Sequence, residues 1–428
     1  PYTTLFRSHF PLVAEGLLDA LQPAPRFKSV AGRGDAPLPV GTPVLASDSV
    51  FSPLMLMKQS ALENNLRQLA DFCREQGVML AAHGKTSMSP AILRRAITEG
   101  GAWGLSAATP AQVRALRQFG IRNVFLANEL VDPAGIRWIG EWQKQHPDHG
   151  FLCYVDSLQG VRLLEQHLGD NAIAVLLEMS VSGGRTGCRS SSQALEIAAA
   201  IAASPVLQLV GVAGYEGALG AERDAAGIAR VRDYCQMLIA TAALVAEKGL
   251  FSSDTIILSA GGGAWFDVVS ACFTEARLSL PITPLIRSGA YMAHDNGLYA
   301  RIAPFAQPNA RHHFEPALEI WGRVLSRPEP GLAFVDFGRR DVPFDQDLPN
   351  PLWVRNVEGS APRVASGMRI SEVNDQHAWL LLPEEDALKP GDWLGCGISH
   401  PCTAFDKWRY LPLVDDDYRV TDAVETAF

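Results

Sequence analysis

No apolar run in this chain is long enough to span a bilayer, which excludes a transmembrane helix. Cysteine is sparse: seven residues, an odd number in irregular spacing, give no disulfide framework and point to a reducing compartment. Positive charge is in deficit. A net charge of -9 at pH 7 leaves no basic face for a polynucleotide, so nucleic acid and membrane are excluded as partners and small molecules are expected. Neither a tandem repeat nor a low-complexity linker interrupts the chain. What is present is an ordinary globular composition, 47% hydrophobic and 19% charged, over 428 residues. That length exceeds one simple core, so two domains and a cytoplasmic location are expected.

Residues Pro1 to Ser8 (PYTTLFRS) lack an initiator Met and look like the translation of a sequencing-library adapter joined to a truncated frame. They are set aside as non-native. From His9 to about Ser47 the chain is rich in Pro and Gly, with one short helical pattern around Leu12 to Leu21, and residues 1–47 read as an N-terminal entry segment. A regular alternation then begins. An apolar run at Pro53 to Met57 precedes a capping box, Ser60-Ala61-Leu62-Glu63, and apolar residues at helical spacing that end at Gly77. Strand-like runs recur at Val78 to Ala82, Trp103 to Ser106, Val124 to Ala127, Phe151 to Val155, Ile173 to Glu178, Leu207 to Val212 and Thr255 to Ser259. With Pro53 to Met57 counted as the first, these make about eight strands alternating with helices, an α/β pattern that implies a parallel sheet. A closed (β/α)8 TIM-type barrel over residues 48–290 fits this count better than an open doubly wound sheet, which shows the same local pattern. Beyond about Tyr291 the helical period disappears. Ala317 to Val324, Leu332 to Phe337, Gly367 to Val373, Ala378 to Leu382 and Asp392 to Ile398 read as short strands of a C-terminal β-rich domain, residues 291–428.

Functional residues of a barrel gather at the C-terminal ends of its strands. Lys85, in His83-Gly84-Lys85-Thr86, stands at such an end, where a desolvated amine attacks an aldehyde; a surface lysine in a loop fits the position as well. Ser259-Ala260-Gly261-Gly262-Gly263 follows the last predicted strand and offers a hydroxyl and bare N–H groups to an anion at a helix start. Arg185 follows the sixth predicted strand and Tyr215 the seventh, and Arg287-Ser288-Gly289-Ala290-Tyr291 lies at the domain junction. In Ser399-His400-Pro401-Cys402, an extended backbone would send the imidazole and the thiol out of one face. Such a pair is half of a zinc site with positions left open, or else a His and a Cys packed at the edge of a β domain. Together these parts form an inventory for pyridoxal phosphate, with the aldehyde on Lys85 and the phosphate on the glycine loop.

The segments HGKT at Lys85, RTG at Arg185, GYEG at Tyr215, SAGGG, RSGAY and above all HPCTAFDKW resemble the D-serine dehydratase and D-threonine aldolase family, from about Phe51 to Trp408. The resemblance implies an alanine racemase-like barrel of pyridoxal phosphate fold type III, paired as a homodimer. It also implies roles. Lys85 would carry pyridoxal 5'-phosphate and take the Cα proton, Arg185 and Tyr215 would border the cofactor ring, and Ser259, Gly261, Gly262 and Tyr291 would line its phosphate. His400 and Cys402 would hold the metal, Zn2+ or else Mn2+. Cys402, where the aldolase branch tends to carry aspartate, favours the dehydratase side. The implied reaction is β-elimination from a D-3-hydroxy amino acid, giving a 2-oxo acid and ammonia. Retro-aldol cleavage and a non-catalytic pyridoxal phosphate-binding protein are the alternatives. One departure concerns Ala264-Trp265, which stand after the glycine loop where relatives often carry Thr-Pro.

Overall fold

The computed structural model describes residues 28–30, 37–359 and 361–428. The expected adapter remnant and the helical pattern at Leu12 to Leu21 lie outside the described residues. A closed barrel of eight parallel strands forms the larger layer: β2 (Met79–His83), β3 (Gly104–Ala107), β4 (Asn123–Glu129), β5 (Gly150–Val155), β6 (Ile173–Met179), β7 (Leu207–Gly214), β8 (Ile256–Ser259) and β9 (Ile282–Ile286). Its interior is packed by Ala81, Phe125, Leu152, Tyr154, Leu176, Ala213 and Leu285. Each strand end turns into a helix through a local cap. Thr109, Asp132, Ser157, Ser190 and Asp224 each accept a backbone N–H three residues on, at the starts of α3 (Pro110–Gln118), α4 (Pro133–Gln145), α5 (Leu158–Leu168), α6 (Ser191–Ala203) and α7 (Ala225–Glu247). A cap of this kind contributes about 1 kcal/mol.

The barrel is as expected, but its strand list needs one correction. The run counted as the first barrel strand is β1 (Leu54–Lys58), and it belongs to the second sheet, between β10 (Leu318–Glu329) and β17 (Tyr410–Val414). The barrel is closed instead by β9, which pairs with β2 and β8. Leu54 and Leu56 face a cluster with Trp321, Trp393 and Tyr410, while Met55 and Met57 join the main core. A strand buried on both faces reads as a continuous apolar run, like a barrel strand, and sequence alone cannot tell the two apart. The capping box is also absent: α1 (Gln59–Gln76) starts at Lys58 without a side-chain cap, and Ser60 Oγ donates to Asp416 at 2.8 Å.

The second sheet is mostly antiparallel. Its main path runs β13 (Arg363–Val364), β12 (Asn350–Arg355), β16 (Trp393–Gly397), β10, β1, β17 and β18 (Val420–Glu425), and β11 (Leu332–Val335), β15 (Ala378–Leu381) and β14 (Arg369–Val373) extend from β10.

Between the barrel and this sheet, His294 is 5% exposed, with its ring centroid 5.6 Å from that of Phe314. Burial holds its imidazole down at about 4. An unfolded histidine titrates near 6.5, so between those values only the unfolded chain takes up the proton, and stability falls as the solution is acidified. From pH 7 to pH 5 this one group costs about 2 kcal/mol. Urea unfolding at the two pH values should show that loss, and His294→Asn, which tolerates the φ of 45° found there, should lose less by that amount.

Candidate active site

A cavity opens at the C-terminal end of the barrel. Lys85, Arg185, Tyr215, Gly262 and Cys402 border it, so five of the nine residues singled out from sequence are brought together. Lys85 lies in the short turn Gly84–Thr86 after β2, and Cys402 in the turn Pro401–Thr403 of the second domain. The two turns meet: Thr86 Oγ1 lies 3.4 Å from Cys402 Sγ. Lys85 is exposed on the cavity wall, so of the two readings left open by its position, desolvated amine or surface loop lysine, the structure has the exposed one. The backbone N–H of Lys85 donates to His83 Nδ1 at 3.5 Å. Burial first, then the charges of Lys85, Arg287 and Arg185, hold the His83 imidazole well below its ordinary range.

Tyr215 is set by α7. The Tyr234 hydroxyl donates to Met179 O at 2.8 Å and accepts from Tyr215 N at 2.9 Å, tying the ends of β6 and β7 together. The Arg185 guanidinium sits over the Tyr215 ring, 4.5 Å from its centroid. Arg189 holds the loop that carries Arg185 by donating to the carbonyls of Gly184, Arg185, Thr186 and Gly187.

Three of the expected phosphate residues are otherwise engaged. Ser259 is fully buried; its hydroxyl donates to Leu285 O at 2.9 Å and accepts from Arg287 Nη1 at 2.5 Å. Gly261 N and Gly262 N donate to the Glu216 carboxylate at 2.9 Å and 2.6 Å, so an acid of this chain holds those two N–H groups. Tyr291 packs in the core against Phe314, ring centroids 5.9 Å apart, and its hydroxyl has no hydrogen bond among the described residues. Ser259, Gly261, Tyr291 and His400 do not border the cavity; Gly262 does. The N–H groups of Gly263 and Ala264, just before α8 (Phe266–Glu275), make no hydrogen bond among the described residues. A Cβ at Gly263 would fall 2.5 Å from the Tyr299 ring, so glycine alone leaves room there.

His400 and Cys402 are not in an extended strand. His400 is left-handed, φ 64° and ψ 78°, and the turn after it brings imidazole and thiol together. Cys402 above all, with Asp345 behind the ring, pushes the His400 imidazole up to about 9. Nδ1 of His400 meets the Asp345 carboxylate, whose other oxygen accepts from Thr403 Oγ1 at 2.7 Å. Against the upward push of burial, Thr403 and His400 hold Asp345 below the usual carboxylate range. The backbone of His400 is pinned by Asp295, 1% exposed, which accepts from His400 N at 2.8 Å, Tyr299 N at 2.8 Å and Gly297 N at 3.0 Å.

Sequence reasoning left five cavity residues with polar side chains without a role: His83, Thr86, Tyr154, Arg287 and Tyr299. Arg287 follows β9, the strand that was not recognised, and staples the barrel mouth by donating to Gly214 O at 2.6 Å as well as to Ser259. Tyr299 carries no sequence signal, because its place is set by Asp295.

Comparison with known proteins agrees with this architecture. Residues 57–278, just over half of the chain, match the alanine racemase N-terminal domain, and residues 317–414 match the putative serine dehydratase domain. The chain is 25% identical to a D-threonine aldolase of an Arthrobacter species, over 90% of this chain and 94% of that protein. It is 27% identical to a 3-hydroxy-D-aspartate aldolase of Paracoccus denitrificans, over 72% and 77%. Among solved structures, a D-threonine aldolase from Filomicrobium marinum superposes with a TM-score of 0.75 at 24% identity, covering 91% of this chain and 98% of that one. The D-threo-3-hydroxyaspartate dehydratase from a Delftia species gives 0.69 at 20% identity, covering 90% and 99%. That dehydratase has also been solved with a histidine replaced and with a cysteine two positions later replaced, the latter in a metal-free form. This chain therefore belongs to the family of the alanine racemase N-terminal domain, here joined to a putative serine dehydratase domain.

Proposed function

We propose that the chain is a pyridoxal phosphate- and metal-dependent lyase that eliminates the β-hydroxyl of a D-3-hydroxy amino acid, giving a 2-oxo acid and ammonia. The observation that carries this reading is the meeting of Lys85 and Cys402 on one cavity, with Thr86 and Cys402 3.4 Å apart. The residues fit both groups. Lys85 on the cavity wall supplies the amine, and the free N–H groups of Gly263 and Ala264 at the start of α8 suit the phosphate. An imidazole and a thiol side by side suit zinc, with Mn2+ as the harder substitute. When bound, pyridoxal phosphate supplies an electron sink at Cα, and the ion on His400 and Cys402 supplies Lewis acidity to a hydroxyl.

The chain's own residues do the rest. Lys85 Nζ would hold the cofactor aldehyde, and its free amine would take the Cα proton. His83, kept neutral, adds no positive charge beside that amine. Arg185 stacks on Tyr215 and presents a guanidinium to the cavity, where a substrate carboxylate would be received. Asp345 orients His400, and Asp295 fixes both the His400 backbone and Tyr299. Elimination and retro-aldol cleavage use the same parts. The His-x-Cys pair shared in kind with the Delftia dehydratase favours elimination, and the aldolase names of the sequence relatives favour cleavage. The test is direct. With pyridoxal phosphate, Zn2+ and each of D-serine, D-threonine and 3-hydroxy-D-aspartate, ammonia and a 2-oxo acid should form; glycine and an aldehyde without ammonia would replace this reading with the aldolase one.

A further inference from the structure

A second group of ionisable side chains at the barrel mouth takes no part in the proposed reaction. Asp156 and Glu178 stand two residues beyond Tyr154 and Leu176, which face the barrel interior, and Glu129 joins them from β4, across a bulge and opposite Tyr154. One oxygen from each of these three carboxylates lies within 4.8 Å of the other two. No Lys, Arg or His among the described residues forms an ion pair with any of them. The cluster also holds unmet hydrogen-bonding capacity. Glu178 is 2% exposed, yet its Oε2 has no hydrogen-bond partner. Glu129 Oε1 and the hydroxyl of Tyr154, 3% exposed, are also without one. Leaving a buried polar atom unmet costs on the order of 1–3 kcal/mol, so these atoms call for a cation or, in its absence, a proton shared between the acids.

We propose that Glu129, Asp156 and Glu178 form a second cation site, for a hard divalent ion of the Mg2+, Mn2+ or Ca2+ class. Three carboxylates and no sulfur or imidazole are the donor set this class takes. Oxygens on opposite sides of such an ion stand about 4–5 Å apart, twice a metal–oxygen distance of ~2.1–2.5 Å, and the observed spread fits. Without an ion the charge is relieved by a proton shared between two of the acids: burial first, then the hydrogen bond to Glu178, push Glu129 up to about 9. The site has a structural reach into the cavity. Gly187 N donates to Asp156 Oδ2 at 3.0 Å and Cys188 N to the Glu178 carbonyl at 2.8 Å, so the loop that carries Arg185 is anchored on two of the three acids.

The test is a count of bound Mn2+ on the full-length protein, stripped with chelator and followed by electron paramagnetic resonance. The unaltered chain should bind two ions, Cys402→Ala one, and Cys402→Ala combined with Asp156→Asn and Glu178→Gln none. A count in Cys402→Ala that the two acid substitutions leave unchanged, or a count of zero in Cys402→Ala itself, overturns the proposal. A count in Cys402→Ala equal to that of the unaltered chain, falling by one on acid substitution, would uphold this site and refute the metal role of Cys402. Terbium luminescence gives a second readout with the acids untouched: in Cys402→Ala, replacing Tyr154 with Phe should cut tyrosine-sensitised emission severalfold, and absence of any such emission before that replacement counts against the site.

Discussion

Lys85→Ala is expected to abolish turnover, by a factor on the order of 10³ or more, and with it the visible absorbance of the lysine-linked cofactor. Two roles meet on one nitrogen, since Nζ both anchors the aldehyde and moves the Cα proton. The turn that carries it should survive the change, because Thr86 and Gly84 are buried there while the Lys85 side chain is exposed. Loss of activity should therefore come without loss of fold, as thermal unfolding of the variant would show. Lys85→Arg keeps the positive charge but cannot form the covalent link, and should be as inactive as the alanine variant. Activity within tenfold of the unaltered protein in either variant would remove Lys85 from the mechanism.

The second large effect belongs to Cys402→Ala. It should remove the ion from the His400 site and lower elimination by a factor on the order of 10²–10³, while pyridoxal phosphate still binds, since Lys85, Gly263 and Ala264 are untouched. Asp345→Asn tests the same site more gently. It leaves both ligands and loosens only the partner of His400 Nδ1, so zinc affinity should fall about 10–100-fold. Competition titration against a zinc indicator measures both, and equal affinities in all three proteins would end the case for metal at His400 and Cys402.

The barrel itself is legible because its strands are apolar and its helices carry Ser, Thr and Asp caps at their starts. Three of the strands that escape notice share one cause. Pro284, Pro351 and Pro412 lie inside β9, β12 and β17, and proline argues against a strand when only sequence is in view. Tertiary pairing overrides that preference in each. At the site, residues in strand-end motifs were legible: Lys85, Arg185, Tyr215 and Cys402 all reach the cavity. The glycine loop shows what motif reading misses. Its N–H groups at Gly261 and Gly262 were read as open to an anion, but Glu216, just beyond the end of β7, folds back and takes them. Tyr291 misled for a similar reason: a residue can follow a functional strand and still point its ring into the core.

The placement of β1 has a bearing on how the chain is made. It leaves the ribosome early, yet its antiparallel neighbour β10 is synthesised roughly 260 residues later, which at ~5–20 residues per second means a delay of about 13–52 s. Throughout that interval Leu54 to Met57 form a sticky stretch with nothing to pair with, the kind of segment that holdase chaperones grip. Severing the chain near the domain junction would strand this piece on the wrong half, so neither half is expected to mature in isolation.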